Sequence, residues 1–164
     1  MNEYLKYAGL LAILIIIQKT LIWLIAVTSY EITPDIVLIG LVFISMRKGK
    51  ITGSVGGFVS GLILDFLSFS FLGLMALSKT VTGFFAGFFF NEMKVDRYLS
   101  SYVFVLVVFF CSLINNVFYF MIYFQGTMLA PADILIRYIL PTALYTAFVS
   151  IIAVIINKKK LFKR

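Results

Sequence analysis

The sequence predicts an all-α polytopic membrane protein, a bundle of six transmembrane helices with both termini in the cytoplasm. Composition is the first reason. Hydrophobic residues make up 62% of the 164-residue chain and charged residues 13%, whereas a soluble domain averages about 45–50% and about 25%. The second is the spacing of apolar runs, which a hydropathy window places near 7–27, 34–46, 52–67, 72–90, 100–124 and 134–156. The third is the sidedness of the charge. Eleven of the 14 basic residues lie at Lys6, in the turn Arg47-Lys48-Gly49-Lys50, at Lys94 and Arg97, and in the tail; the intervening connections carry none. The positive-inside rule then requires an even number of spans. One domain over residues 1–164 is expected.

The N-terminal run MNEYLKYAGLLAILIII lacks the short apolar region and small-residue cleavage site of a signal peptide, so it reads as a retained first span. Gln18, Lys19 and Thr20 interrupt it. Span two is short: the 13 residues from Pro34 to Met46 rise about 20 Å, against about 30 Å of hydrocarbon. Either the connector SYEIT dips into the bundle or the membrane thins there. Thr33, Pro34 and Asp35 read as N-cap, N1 and N2 of this span: the hydroxyl caps, proline needs no partner, and the carboxylate meets the positive helix end. In the functional reading, Glu31, Pro34 and Asp35, with Arg137, form an outward-facing site for a partner or ligand.

Span three carries GSVGGFVSGLILD, in which Gly53, Gly57, Gly61 and Asp65 recur every fourth residue and share one helix face. In lipid, helices associate through close backbone approach, which small residues permit. Span four repeats the spacing at Lys79, Gly83 and Gly87. The two stripes predict a helix-packing or partner interface, each bearing one charge of opposite sign. Asp65 lies 12 residues from Gly53, about 18 Å along the helix, and Lys79 about 10 Å below the outer end of span four. At these matching depths an intramembrane Asp65–Lys79 pair is expected. Buried charges cost about 2.5–3.5 kcal/mol each even on a lenient scale, so both should face protein.

Asn115 and Asn116 interrupt span five and are expected to hydrogen-bond between helices. Arg137 opens span six and either snorkels outward or pairs with Asp35 or Glu31. The phenylalanines of GFFAGFFF read as lipid-facing and packing residues. With no histidine and the single cysteine Cys111, zinc, haem and iron–sulfur sites are implausible, and neither cofactor nor metal is expected. The net charge of +7 follows topology rather than a groove, so nucleic acid drops out as a partner, while the basic tail suits the lipid bilayer.

From Pro34 to about residue 90 the chain resembles the rod shape-determining protein MreD family. The resemblance rests on Pro34-Asp35 opening a short second span, the basic turn Arg47-Lys48-Gly49-Lys50, and the glycine-rich third span ending in Leu64-Asp65. Leu72-Gly73-Leu74 with Ala76-Leu77 completes it. Lys79 is not among these motifs, so its pairing rests on the depth argument and not on the resemblance. The resemblance implies a non-enzymatic, multi-pass protein of the bacterial cytoplasmic membrane that supports lateral peptidoglycan synthesis and rod shape. It implies MreC, RodA with its transpeptidase and, indirectly, the MreB system as partners. It also implies a fold similar to the S-components of energy-coupling-factor vitamin transporters, so fold alone does not decide function.

Two other functions compete. A vitamin-binding S-component needs an enclosed outer pocket with a few placed polar groups, which Glu31, Asp35, Asn115, Asn116 and Arg137 would supply. Span one, however, is bulky where a docking motif for the coupling subunit would sit. An intramembrane hydrolase would pair Asp35 with Asp65 around a shared proton. The two lie at different depths, and the motifs of a lipoprotein signal peptidase are missing. No serine–histidine, cysteine–histidine or P-loop arrangement is present.

Overall fold

The computed structural model describes residues 3–20, 33–68, 71–126 and 130–161. Helices α1 (Glu3–Thr20), α2 (Ile36–Lys48), α3 (Lys50–Ser68), α4 (Leu74–Ala86), α5 (Val95–Leu99), α6 (Tyr102–Tyr123), α7 (Pro131–Ile134) and α8 (Leu140–Leu161) follow one another, with no strand among the described residues. A 3-10 turn, Gly87–Phe89, extends α4, and a π-helical stretch, Leu135–Ile139, joins α7 to α8. The all-α expectation holds. The last third of the expected first span, residues 21–27, and Glu31 lie outside the described residues.

Short α2 forms the centre. Nine of its residues, from Val37 to Met46, are buried, and it touches α1, α3, α4, α6 and α8. A helix apolar on every face must be buried on every face. Protein, not lipid, surrounds its 13 residues, so its length is not set against the bilayer thickness. Asp35 is the N-cap, and its Oδ1 accepts the N–H of Leu38 at 2.9 Å. The helix therefore begins two residues later than the expected Thr33 cap, because the carboxylate reaches the third helical N–H, the donor an N-cap side chain satisfies. At the other end Gly49, at φ 86°, turns the chain into α3, and its N–H donates to the Ser45 carbonyl at 2.8 Å.

Two apolar clusters flank α2. One joins Leu38, Val42 and Met46 to Phe104 and Val108 of α6; the other joins Val37 and Ile44 to Leu11 and Ile15 of α1 and Leu64 of α3. Ile51, Phe66, Phe110 and Phe148 point outward and are exposed. Lys50–Ser68, Tyr102–Tyr123 and Pro131–Lys158 are long and apolar enough to cross a membrane. Outward apolar side chains on helices of that length make this a membrane protein.

Charges gather at one end of the bundle. Lys48 at the end of α2 pairs with Glu3 at the start of α1, and Arg47 pairs with Asp96 of α5 at 2.7 Å. The ammonium of Lys50 sits 3.5 Å above the Phe88 ring centroid. The cavity described next lies toward the opposite end, where α2 begins.

Candidate functional site

The site starts from how closely α3 and α4 approach, the most extensive helix contact in the structure. A methyl group built on Gly57 would lie 2.6 Å from the carbonyl carbon of Lys79, and one on Gly83 would lie 2.6 Å from that of Gly53. On Gly61 it would lie 2.6 Å from the Ala76 nitrogen. Gly53 faces Ser45 and Gly83, and Gly87 faces the backbone of Gly49 and Lys50. All five glycines thus sit where backbone meets backbone, and no rotamer change relieves an added Cβ there.

This contact sets Lys79 opposite Gly57, about two helical turns from Asp65, and does not pair the two charges. The Asp65 carboxylate accepts the N–H groups of Gly73 at 3.0 Å, Met75 at 3.0 Å and Ala76 at 3.1 Å. Gly73, at φ 99°, precedes α4 and brings no side-chain cap. Asp65, fully buried, supplies that cap from the neighbouring helix. The first turn of any helix leaves N–H groups unpaired at its positive end, and a carboxylate satisfies both deficits.

Lys79 turns instead to Asp35, and its ammonium donates to Asp35 Oδ2. The two side chains retain only 3% and 13% exposure. Asp35 is also held by its own N–H, which donates to Thr146 Oγ1 of α8 at 3.1 Å. Gln18 of α1 accepts the Val37 N–H at 2.9 Å. One junction therefore ties α2 to α1, α4 and α8.

A cavity of about 530 Å³ opens over this junction. Gln18, Asp35 and Lys79 contribute to its polar part, Asn115 of α6 to its side, and Tyr119 and Tyr138 to its aromatic wall. The rings of Tyr119 and Tyr123 stack, with centroids 5.7 Å apart and planes at 11°. Tyr138, in the π-helical stretch, packs against Phe120 and Phe124 at 5.6 and 5.0 Å. Asn116 donates to the Ile139 carbonyl at 3.5 Å, close to where π-helical geometry breaks the regular ladder. The cavity's charges pair with each other, and its lining is part polar and part aromatic. Such a lining suits recognition more than proton transfer.

The family model described as rod shape-determining protein MreD matches residues 4–162. The chain belongs to the MreD family. Its match extends the resemblance of residues 34–90 across nearly the whole chain, and makes this a rod shape-determining membrane protein. No curated protein and no solved structure matches it.

Within this MreD-family fold, the expected Asp65–Lys79 pair is corrected to Asp35–Lys79. Matching depth alone does not make Asp65 and Lys79 partners, because the backbone donors at the start of α4 lie nearer to Asp65 in the same hairpin. Of the alternatives expected for Arg137, pairing with Asp35 is not found: its Nε lies 3.5 Å from Asp133 Oδ1, both side chains are about half exposed, and Glu31 lies outside the described residues. Pro34 is buried just ahead of the Asp35 cap. Thr146 and the tyrosine wall were missed. Tyr119 and Tyr123, four apart like Asn115 and Tyr119, carry the helical spacing that would have placed them on one face.

Proposed function

We propose that this chain is a non-enzymatic, six-span component of the bacterial cytoplasmic membrane, with both termini in the cytoplasm. It supports rod shape and lateral peptidoglycan synthesis by binding membrane partners such as MreC and RodA with its transpeptidase, and the MreB system indirectly. The family match over residues 4–162 carries this reading. The clustering of Arg47, Lys48 and Lys50 at one end of the bundle supports the orientation. The absence of enzymatic activity draws support from the carboxylates. Asp35 is engaged by Lys79 and Leu38, and Asp65 by the start of α4. A shared-proton pair would need the two carboxylates facing each other.

The glycine hairpin gives such a scaffold a rigid α3–α4 unit, with the outer faces of both helices left for partners. Co-purification from native membranes, followed by identification of what accompanies the protein, tests the reading. Recovery of a single-span coiled-coil protein agrees with it. Recovery of an ATPase module with a tightly held small molecule overturns it in favour of a transporter S-component.

A further inference from the structure

We propose that the outer surface of the α3–α4 hairpin, at the basic end of the bundle, binds one anionic phospholipid. Its phosphate sits on Lys50 and its acyl chains lie along α3 and α4. The scaffold role requires no bound lipid, and the proposal needs only that the basic end meets a membrane surface. Arg47, Lys48 and Lys50 stand together where α2 turns into α3, yet only two of them are matched by acids. Arg47 pairs with Asp96 and Lys48 with Glu3, whereas Lys50 makes no ion pair among the described residues. Lys50 lies over aromatic rings instead. Its ammonium is 3.5 Å from the ring centroid of Phe88 and 5.8 Å from that of Phe84, and the two rings meet edge to face at 5.2 Å. Both rings are exposed on the outside of the bundle. An ammonium drawn to a ring face keeps its other N–H donors for an acceptor on its open side. The backbone fixes the place: a methyl group built on Gly87, next to Phe88, would lie 2.5 Å from the Lys50 nitrogen.

The class of ligand follows from what surrounds the cation. Every exposed residue of α3 beyond Lys50 is apolar, from Ile51 to Leu67, and so is every exposed residue of α4, namely Leu77, Phe84 and Phe85. A cation at the end of an apolar face is complementary to an anionic head carrying hydrocarbon chains. Free phosphate would leave that face unused, and an acidic protein loop would bring unpaired backbone groups onto it. The sign of the head follows from the neighbours. Lys94 and Arg97 flank Asp96 at the same end and make no ion pair among the described residues, so the end stays basic in spite of the exposed Glu92. A zwitterionic head, which carries its own ammonium, meets repulsion there that an anionic head escapes.

The test uses the full chain in detergent micelles with dioleoylphosphatidylglycerol as the probe, read by native mass spectrometry as the fraction of protein carrying one lipid. Dioleoylphosphatidylcholine and soluble glycerol phosphate are compared with it. The parent should retain phosphatidylglycerol in preference to phosphatidylcholine, and glycerol phosphate at equal concentration should not displace it. Lys50→Gln should weaken phosphatidylglycerol binding about fivefold, leave phosphatidylcholine binding unchanged, and melt like the parent in lipid-free micelles. Lys94→Gln removes the same charge from the same end and should bind like the parent. Phe88→Leu, which keeps the face apolar and removes the ring under the ammonium, should weaken binding by less than Lys50→Gln does. Equal losses in Lys50→Gln and Lys94→Gln would mean diffuse attraction to the basic end, and equal retention of the two lipids would remove the anionic head. Displacement by glycerol phosphate would remove the acyl-chain contact. Each of these overturns the proposal. So does a Lys50→Gln variant that loses a partner protein in native membranes while holding phosphatidylglycerol as the parent does, since Lys50 would then face protein. If Lys50→Gln does not fold, unchanged binding in Phe88→Leu overturns the proposal equally.

Discussion

Lys79→Met keeps the length of the side chain and deletes its charge, leaving the Asp35 carboxylate beside the cavity without its ammonium. Removing one partner of a buried pair costs about 3–5 kcal/mol. Asp35 keeps 13% exposure and its hydrogen bond from Leu38, so the low end, about 3 kcal/mol, is expected. Asp35→Leu is worse on two counts. It strands Lys79, which has only 3% exposure, and it deletes the α2 cap, worth about 0.5–2 kcal/mol, giving about 3.5–7 kcal/mol together. The double variant leaves no orphan charge and should lose little more than the cap. Thermal unfolding in detergent reads these values at about 2–4 °C per kcal/mol for a chain of this size. A second cycle, Asp65→Ala with Lys79→Met, should show much the smaller coupling, because the Asp65 carboxylate is held by backbone N–H groups. Additive losses in the first cycle, or the larger coupling in the second, would refute the assignment of Lys79 to Asp35.

Asp65→Ala should by itself lower stability by several kcal/mol, since hydrogen bonds to a charged group are worth about 1.5–3 kcal/mol each; Asp65→Asn should recover part of the loss in the same melt. Gly57→Leu and Gly61→Leu should insert into the membrane yet separate α3 from α4, read as lowered melting temperature and weakened partner recovery; parent-like behaviour in both would remove the stripe as an interface. A periplasm-active reporter fused after Arg164 should stay silent, and activity there would overturn the six-span orientation. The Glu3 carboxyl is held below its ordinary value of 4.5 by the hydrogen bond from Lys48, and the Lys48 ammonium is raised in return. The small stability that Glu3→Gln removes should therefore be present at neutral pH and fade as pH falls through the lowered carboxyl value. A parent–variant difference that grows on acidification would refute the pairing.

The chemistry that sequence alone determined is that which depends on one residue's distance from another along a single helix. The apolar content and the alternation of basic connections determined a helical membrane protein. The four-residue spacing of Gly53, Gly57 and Gly61 determined a smooth face, since helical periodicity follows from the backbone and needs no neighbour. The family resemblance was likewise legible in residues 34–90, from the order of short motifs. Which charge meets which was decided by tertiary structure. Asp65 and Lys79 look like natural partners while only side chains are weighed, yet the unpaired N–H groups of the α4 first turn are the nearer and better-aimed donors. Lys79 is then free to reach Asp35, 44 residues away in sequence, because α2 runs through the middle of the bundle beside α4. That central position also decided the meaning of the short second span, since a helix wrapped by protein has no lipid thickness to match. Of the cavity, the sequence offered Asp35, Asn115 and Asn116 as pocket-lining candidates, and the rest of its lining came from the tertiary structure. It is lined from α1, the start of α2, α3, α4, α6, the π-helical stretch and α8, and a volume among so many elements exists only once their crossing is fixed.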